Sequence, residues 1–261
     1  MSNQTIIALA NQKGGVGKTT CTRELSCYLS SKGCRVLIID CDPQGNLTNG
    51  LSEDNTKGLF DALSGYEYEL KHIKSNLSLL TADSRLSTLE KSLVAEMDAY
   101  LKLKNLLENE IFQEFEYIFI DCPPSLGILT VNVLVCATNV VVPINPTLYS
   151  LQGTNDLFNT LAKVKKNFNP DIKIAGILLN EVDCRPIISN EIREEVREHF
   201  GDMVFNMELP KSIKFEEAIA QMIGVVDLKG ARVNNIIEEI MATGEELLDR
   251  LGVDYGEKKN T

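Results

Sequence analysis

Within the fifteen residues Ile6-Ile7-Ala8-Leu9-Ala10-Asn11-Gln12-Lys13-Gly14-Gly15-Val16-Gly17-Lys18-Thr19-Thr20 stand three glycines, two lysines and two threonines, in the order that anion chemistry requires. An apolar run enters a glycine-rich turn, and a helical pattern follows. Backbone N–H groups converge ahead of such a helix, and the glycines let oxygen atoms approach the main chain closely. Lys18 can neutralise the β and γ phosphates, and the Thr19 hydroxyl is placed to ligate Mg²⁺. Gly14, Gly15, Val16, Gly17, Lys18, Thr19 and Thr20 are therefore expected to bind a nucleoside triphosphate. The strict G-x-x-x-x-G-K-[ST] pattern is not met, because Gln12 and Lys13 stand where it would open. The result is a second cation, Lys13, at the mouth of the loop.

Three carboxylates sit where they could serve such a site. Asp40 and Asp42 end a second apolar run, expected beside the first, and Asp121 ends another. In doubly wound sheets ligands bind at the carboxyl ends of the strands, so all three are expected near the phosphates. Carboxylates there can hold Mg²⁺ directly or through water and can orient an attacking water. The only histidines are His72 and His199, neither near a motif. Phosphoryl transfer to water needs positioning and charge stabilisation rather than a histidine base.

The elements that must hold these residues read as alternating strands and helices. Apolar runs occur at Thr5 to Ala10, Arg35 to Asp40, Leu77 to Thr81, Tyr117 to Asp121, Asn139 to Ile144 and Ile172 to Asn180. Most are continuously apolar, as strands covered on both faces must be. Helical periodicity fills Lys18 to Lys32, Leu86 to Glu108, Leu151 to Asn167, Ile188 to His199 and Val233 to Leu251. The alternation predicts an α/β fold: a doubly wound, mainly parallel sheet with helices on both faces. One domain is expected over residues 1–253, with a frayed tail over 254–261.

The chain has 261 residues with a formal net charge of −11 and 44% apolar residues, ordinary for a chain that buries a core. The acidic balance argues against the whole surface binding nucleic acid and leaves room for a local basic patch. Seven cysteines without a Cys-x-x-Cys pair support neither a zinc site nor a redox motif and point to reduced thiols. No secretory segment and no run of about 18 apolar residues is present, so a cytoplasmic location is expected.

The motifs, taken together, resemble the ParA/MinD superfamily of ATPases, and within it the ParA (Soj) partition branch. Lys13-Gly14-Gly15-Val16-Gly17-Lys18-Thr19-Thr20 matches its deviant phosphate loop. Asp40-Cys41-Asp42-Pro43-Gln44-Gly45-Asn46-Leu47-Thr48 matches D-x-D-P-Q-G-N-x-T. Asp121-Cys122-Pro123-Pro124-Ser125-Leu126-Gly127, with Thr130 and Asn132, matches D-C-P-P-S-L-G-x-x-T-x-N. The resemblance runs from Thr5 to about Glu239.

It implies ATP and Mg²⁺, with Thr19, Asp40 and Asp121 around the metal, Asp121 as the Walker B acid and Asp40 supporting the first switch. Lys18, Asp42 and Lys13 would be catalytic: Asp42 positions the hydrolytic water, and Lys13 reaches the nucleotide of a partner subunit, so that ATP drives a homodimer. Asn180 and the backbone near Pro210 would meet the base, in a region that also holds Asp183 and Arg185. The family binds DNA without sequence preference, and a ParB-type centromere-binding activator stimulates its otherwise slow hydrolysis. Matching its basic patch onto this chain nominates Lys211, Lys214, Lys229 and Arg232, and a nucleoid-associated location follows. Gln152 and Thr147 depart from acids that the family often has near those positions, which bears on interface detail. No helix-turn-helix precedes the first strand, as in the small form of the family. A positioning ATPase with a protein cargo uses the same chemistry, and a MinD-like membrane cycle is the other relative. The acidic last helix, with Glu238, Glu239, Glu245, Glu246 and Asp249, would be repelled by an anionic membrane. An iron–sulfur electron carrier of the superfamily would need differently placed cysteines.

Overall fold

Apart from one short edge strand, strands form where the aliphatic and β-branched runs lie, and their burial on both faces explains why those runs do not alternate. In the computed structural model, which describes residues 4–54, 57–147, 150–183, 187–230 and 233–253, they are β1 (Thr5–Leu9), β2 (Val36–Asp40), β3 (Lys71–Lys74), β4 (Leu77–Leu80), β5 (Tyr117–Asp121), β6 (Asn139–Ile144) and β7 (Lys173–Leu179). The sheet order is β3-β4-β2-β5-β1-β6-β7. Every pairing is parallel except β3 with β4. One expectation is corrected here: β2 does not lie beside β1, because β5 is inserted between them. In register, Asp121 pairs with Asp40 on one side and with Leu9 on the other. Asp121 therefore stands midway between the second carboxylate strand and the start of the phosphate loop.

The helices are α1 (Lys18–Ser31), α2 (Asn46–Asn49), α3 (Leu59–Leu63), α4 (Arg85–Leu93), α5 (Lys102–Leu107), α6 (Ile128–Cys136), α7 (Ser150–Asn167), α8 (Ile187–Phe200), α9 (Lys214–Ala220) and α10 (Asn234–Arg250). They divide the core into two layers. Leu86, Leu103, Leu129, Leu157 and Val196 cover one face of the sheet, against Ile39, Ile118 and Val140. Leu25, Leu29, Phe215, Ile240 and Leu247 cover the other, against Ile7, Ile38 and Phe119. The apolar stripe of α10 is thus used internally, against α1 and the core. Its Gly244 permits the crossing, since a Cβ there would lie 2.2 Å from Cδ1 of Tyr28. Among the described residues no helix is long and apolar enough to cross a membrane.

The helix expected over Leu86 to Glu108 is broken into α4 and α5. Ten residues at about 100° each would carry Leu103 about 80° around the axis from Leu93, away from the sheet. The turn between them restores it: Glu96 N donates to Leu93 O at 2.9 Å, Leu101 N to Asp98 O at 2.8 Å, and Lys102 binds Glu96 and Asp98. Six cysteines are described, none in a disulfide; five are buried and Cys136 is half-buried. Burial pushes the Cys27 and Cys136 thiols up to about 12, and raises those of Cys21, Cys41 and Cys122 as well.

Candidate active site

The loop from Ala10 to Gly17 leaves β1 at the carboxyl edge of the sheet and enters α1 at Lys18. Its shape depends on two left-handed residues, Gly15 at φ 71° and Gly17 at φ 84°. Asn11 fixes its entry: Nδ2 donates to Pro143 O at 2.8 Å, and Oδ1 accepts Lys13 N at 3.0 Å. A side chain at Gly17 would collide with the Asn180 amide, whose Nδ2 lies 1.8 Å from the position of a Cβ; Gly15 has open space around it. Gly17→Ala is therefore expected to lower ATP affinity at least tenfold, through left-handed strain of about 1–2 kcal/mol and displacement of Asn180. Gly15→Ala carries the strain alone and is expected to cost no more than about thirtyfold and less than Gly17→Ala, both read by ATP titration.

A cavity of about 540 Å³ opens over this loop, lined by Gly14, Gly15, Gly17, Lys18, Thr19 and Thr20 with Asp42, Gln44 and Glu181. Lys18 is buried and its Nζ donates to Lys13 O at 3.3 Å. Burial lowers its pKa from the ordinary lysine value, opposed by the charges of Asp121 and Asp42. The Thr19 hydroxyl donates to Asp121 Oδ2 at 2.7 Å, while Asp121 Oδ1 is buried without a partner. Burial, and next the charge of Asp40, raise the Asp121 carboxyl well above the usual range. A hydroxyl and a carboxylate oxygen side by side, one oxygen lacking a donor, form a hard oxygen set that fits Mg²⁺.

Asp42 lines the cavity, its Oδ1 accepting Gln44 N at 2.9 Å. Asp40, expected among the metal residues, is occupied differently. Its carboxylate is fully buried and accepts Asp42 N at 3.1 Å, Thr48 N at 2.8 Å and the Thr48 hydroxyl at 2.8 Å. With both oxygens engaged, Asp40 braces the loop that carries Asp42 and does not line the cavity. Burial pushes its carboxyl up to about 6 despite these bonds. A carboxyl raised in the fold contributes stability below its unfolded value of about 4 and loses it as pH rises through about 6. Nucleotide-free protein is thus expected to lose stability between pH 4 and pH 6 from this group. Asp40→Asn should remove that part of the slope, measured as the difference in Tm-versus-pH curves.

Asn180 and Pro210, expected at the base, are not among the residues that line the cavity. Asn180 is buried under the loop, its Nδ2 donating to Val16 O at 3.0 Å, and its Oδ1 has no partner. Pro210 forms a parallel bridge with Val182. Val16 is buried beneath the loop, so its contribution is main-chain. Lys13 donates to the Thr147 hydroxyl at 2.7 Å within the protomer. Lys211 and Lys229 are exposed, and Lys214 pairs with Glu217 at 2.6 Å; Arg232, Arg185 and the side chain of Gln152 lie outside the described residues.

Sequence reasoning missed Glu181 and Arg23, which both line the cavity. Glu181 sits at φ 53°, and Asn145 Nδ2 links its Oε2 to Gly15 O, with 2.9 Å to each. Its only sequence signal is a charge directly after a buried strand. Arg23 offers no sharper signal, since its helical neighbours at i±3 and i±4 are Thr19, Thr20, Ser26 and Cys27.

Residues 4–174 match the family profile described as an AAA domain. The chain is 40% identical over 220 residues to the sporulation initiation inhibitor protein Soj of Bacillus subtilis, covering 82% of this chain and 87% of that protein. It is 37% identical over 254 residues to the chromosome partitioning protein ParA of Myxococcus xanthus, with 94% and 88% covered. Among solved structures, cobyrinic acid a,c-diamide synthase from Mycobacterium smegmatis with bound ADP and magnesium aligns at a TM-score of 0.75 and 33% identity, covering 84% of this chain and 91% of that one. The nucleotide and cation that suit the cavity are ATP and Mg²⁺. Since both the phosphate loop geometry and near-full-length likeness to partition proteins lead the same way, the chain belongs to the Soj/ParA family of chromosome-partitioning P-loop ATPases.

Proposed function

We propose that this chain is a nucleotide switch for DNA segregation: ATP closes it into a homodimer, the dimer binds duplex DNA without sequence preference, and a ParB-type centromere-binding activator triggers slow hydrolysis that releases it. The observation that carries the reading is the convergence of Lys18, the Thr19–Asp121 pair and Asp42 on one cavity, in a chain so similar to Soj and ParA. Such a protein works in the cytoplasm, on the nucleoid.

In this mechanism the N–H groups of Gly14 to Thr20 and the ammonium of Lys18 hold the β and γ phosphates. Thr19 and Asp121 would hold Mg²⁺, which when bound offsets charge on the phosphate oxygens. Asp42 orients a water in line with the γ phosphorus; a P–O bond forms to that water as the bond to the β–γ bridging oxygen breaks. Asp40 and Thr48 keep Asp42 in place. Lys13 leaves Thr147 and reaches the partner's phosphates, adding positive charge in trans. That step makes ATP binding and dimerisation one event.

DNA contact is assigned to the surface around Lys211, Lys214, Lys229 and Arg232, doubled by the dimer. With a formal net charge of −11, contact must be confined to such a patch and carried by phosphates. The test is co-sedimentation with non-specific duplex DNA in ATP, in ADP and without nucleotide, at two salt concentrations. The expected result is binding in ATP alone. With about six phosphate contacts, affinity should fall roughly 10³-fold between about 50 and 200 mM salt. Protein that binds ATP but no DNA in any state would overturn the DNA reading and turn attention to a protein cargo.

A further inference from the structure

Arg23 and Glu24 lie on α1 one turn beyond the phosphate loop, among Cys21, Leu25, Tyr28 and Leu29, all buried. They are themselves 2% and 0% exposed, positions that apolar side chains fill without desolvating a charge. Instead they form a directed pair. Arg23 Nε donates to Glu24 Oε1 at 2.7 Å, with Nη2 2.6 Å from the same oxygen. Both members then reach out of their helix. Arg23 Nη2 donates to Phe215 O in α9 at 3.1 Å, and Val225 N donates to Glu24 Oε2 at 2.7 Å. Arg23 also lines the nucleotide cavity and approaches the end of α2, where a Cβ on Gly50 would lie 3.7 Å from its Nη1.

The stretch joined in this way, from Phe215 to Val225, holds no strand. Phe215, Ala218 and Val225 pack it on the core, and the two directed bonds from α1 fix its main chain at either end. At its beginning stand Lys211, Ile213 and Lys214, and Ile213 is 66% exposed. One rigid helix therefore connects the phosphate loop at its first turn to this surface at its second.

We infer that Arg23 and Glu24 are positioning residues that transmit the nucleotide state of the phosphate loop, through α1, to the surface around α9. The identity of the surface's ligand, duplex DNA, rests on the function proposed above; the coupling itself does not. A merely structural pair would set stability and nothing else. A coupling pair also sets how far α9 responds to ATP.

The experiment compares wild type, the apolar double variant Arg23→Met/Glu24→Leu, and the single variants Arg23→Lys and Glu24→Gln. Nucleotide is added to saturation for each protein. Hydrogen exchange of backbone amides over residues 213–227 is read without nucleotide and with ATP, and DNA co-sedimentation is run in parallel. Wild type is expected to show at least a fivefold ATP-dependent change in exchange, and the double variant less than twofold. Glu24→Gln keeps an acceptor for Val225 N and is expected to retain at least half of the response. An unchanged response in the folded double variant, or none in wild type, would overturn the inference. If the double variant does not fold, Arg23→Lys decides. Nη2 meets both Glu24 Oε1 and Phe215 O. A lysine ends one bond short of that atom and lacks the Nε donor, so it keeps the charge near Glu24 without the reach to Phe215 O. A response reduced at least twofold then supports the coupling, and a full response overturns it. A wild-type exchange response without DNA binding would keep the coupling and sink the DNA reading. DNA binding that is equal in wild type and double variant, with equal exchange, would do the reverse.

Discussion

Asp42→Ala is expected to bind ATP, to hydrolyse it roughly 10²–10⁴-fold more slowly, and to accumulate as an ATP-bound dimer. Asp42 is the one carboxylate of the three that lines the cavity, and it holds nothing else of consequence for the fold. Its Oδ1 accepts Gln44 N, on an exposed residue that water can satisfy after truncation. The loop's shape depends on Asp40, which grips Thr48 through two bonds and Asp42 through its main-chain N–H. Alanine at 42 retains that N–H. The variant should therefore keep its fold and phosphate binding while losing orientation of the attacking water. Phosphate release in a single turnover measures the first effect, and light scattering with ATP measures the second. A variant that binds ATP and stays monomeric would show the dimer-switch reading to be wrong.

Lys18→Ala is expected to have the opposite pattern: ATP affinity lowered at least tenfold, hydrolysis lowered about 10³-fold, and no ATP-dependent dimer or DNA complex. Lys18 is the buried cation at the phosphate loop, Arg23 being paired with Glu24, and the carboxylates of Asp121 and Asp42 act on it from across the site. Its removal leaves those negative charges unopposed where polyphosphate must sit, so ground state and transition state both suffer. Titration with a fluorescent ATP analogue and a phosphate-release assay separate the two losses. Affinity retained within twofold would remove Lys18 from the phosphate site. The two variants distinguish the two halves of the cycle: Asp42→Ala stops after assembly, Lys18→Ala before it.

The phosphate loop was legible because its determinants are local: spacing of Gly14, Gly15 and Gly17, then Lys18 and Thr19, immediately after an apolar run. The parallel strands were legible for the same reason, since burial on both faces writes itself as continuous apolar sequence. What was missed depends on partners far along the chain. β3 reads Lys-His-Ile-Lys and shows no apolar run, as suits a charged edge strand with one neighbour. The sequence reading names no helix over Ile128–Cys136, because α6 is apolar nearly all round and offers no amphipathic period. Strand order is non-local, so the insertion of β5 between β2 and β1 was invisible, and with it the reason Asp121 rather than Asp40 meets Thr19. Asn180, expected at the base, donates its Nδ2 to Val16 O under the loop. Only three-dimensional packing distinguishes a residue that supports a site from one that faces it.

The buried thiols give this protein an internal clock for its own opening. Cys21 follows the phosphate loop on α1, Cys41 lies between Asp40 and Asp42, and Cys122 follows Asp121, so three thiols border the site without facing it. Their raised pKa values leave almost no thiolate at neutral pH, and alkylating reagents act on thiolate. Modification of these three positions then proceeds through local or global opening, at rates set by the free energy of that opening. Peptide-resolved alkylation with and without ATP would report, for each motif separately, whether the nucleotide slows its opening.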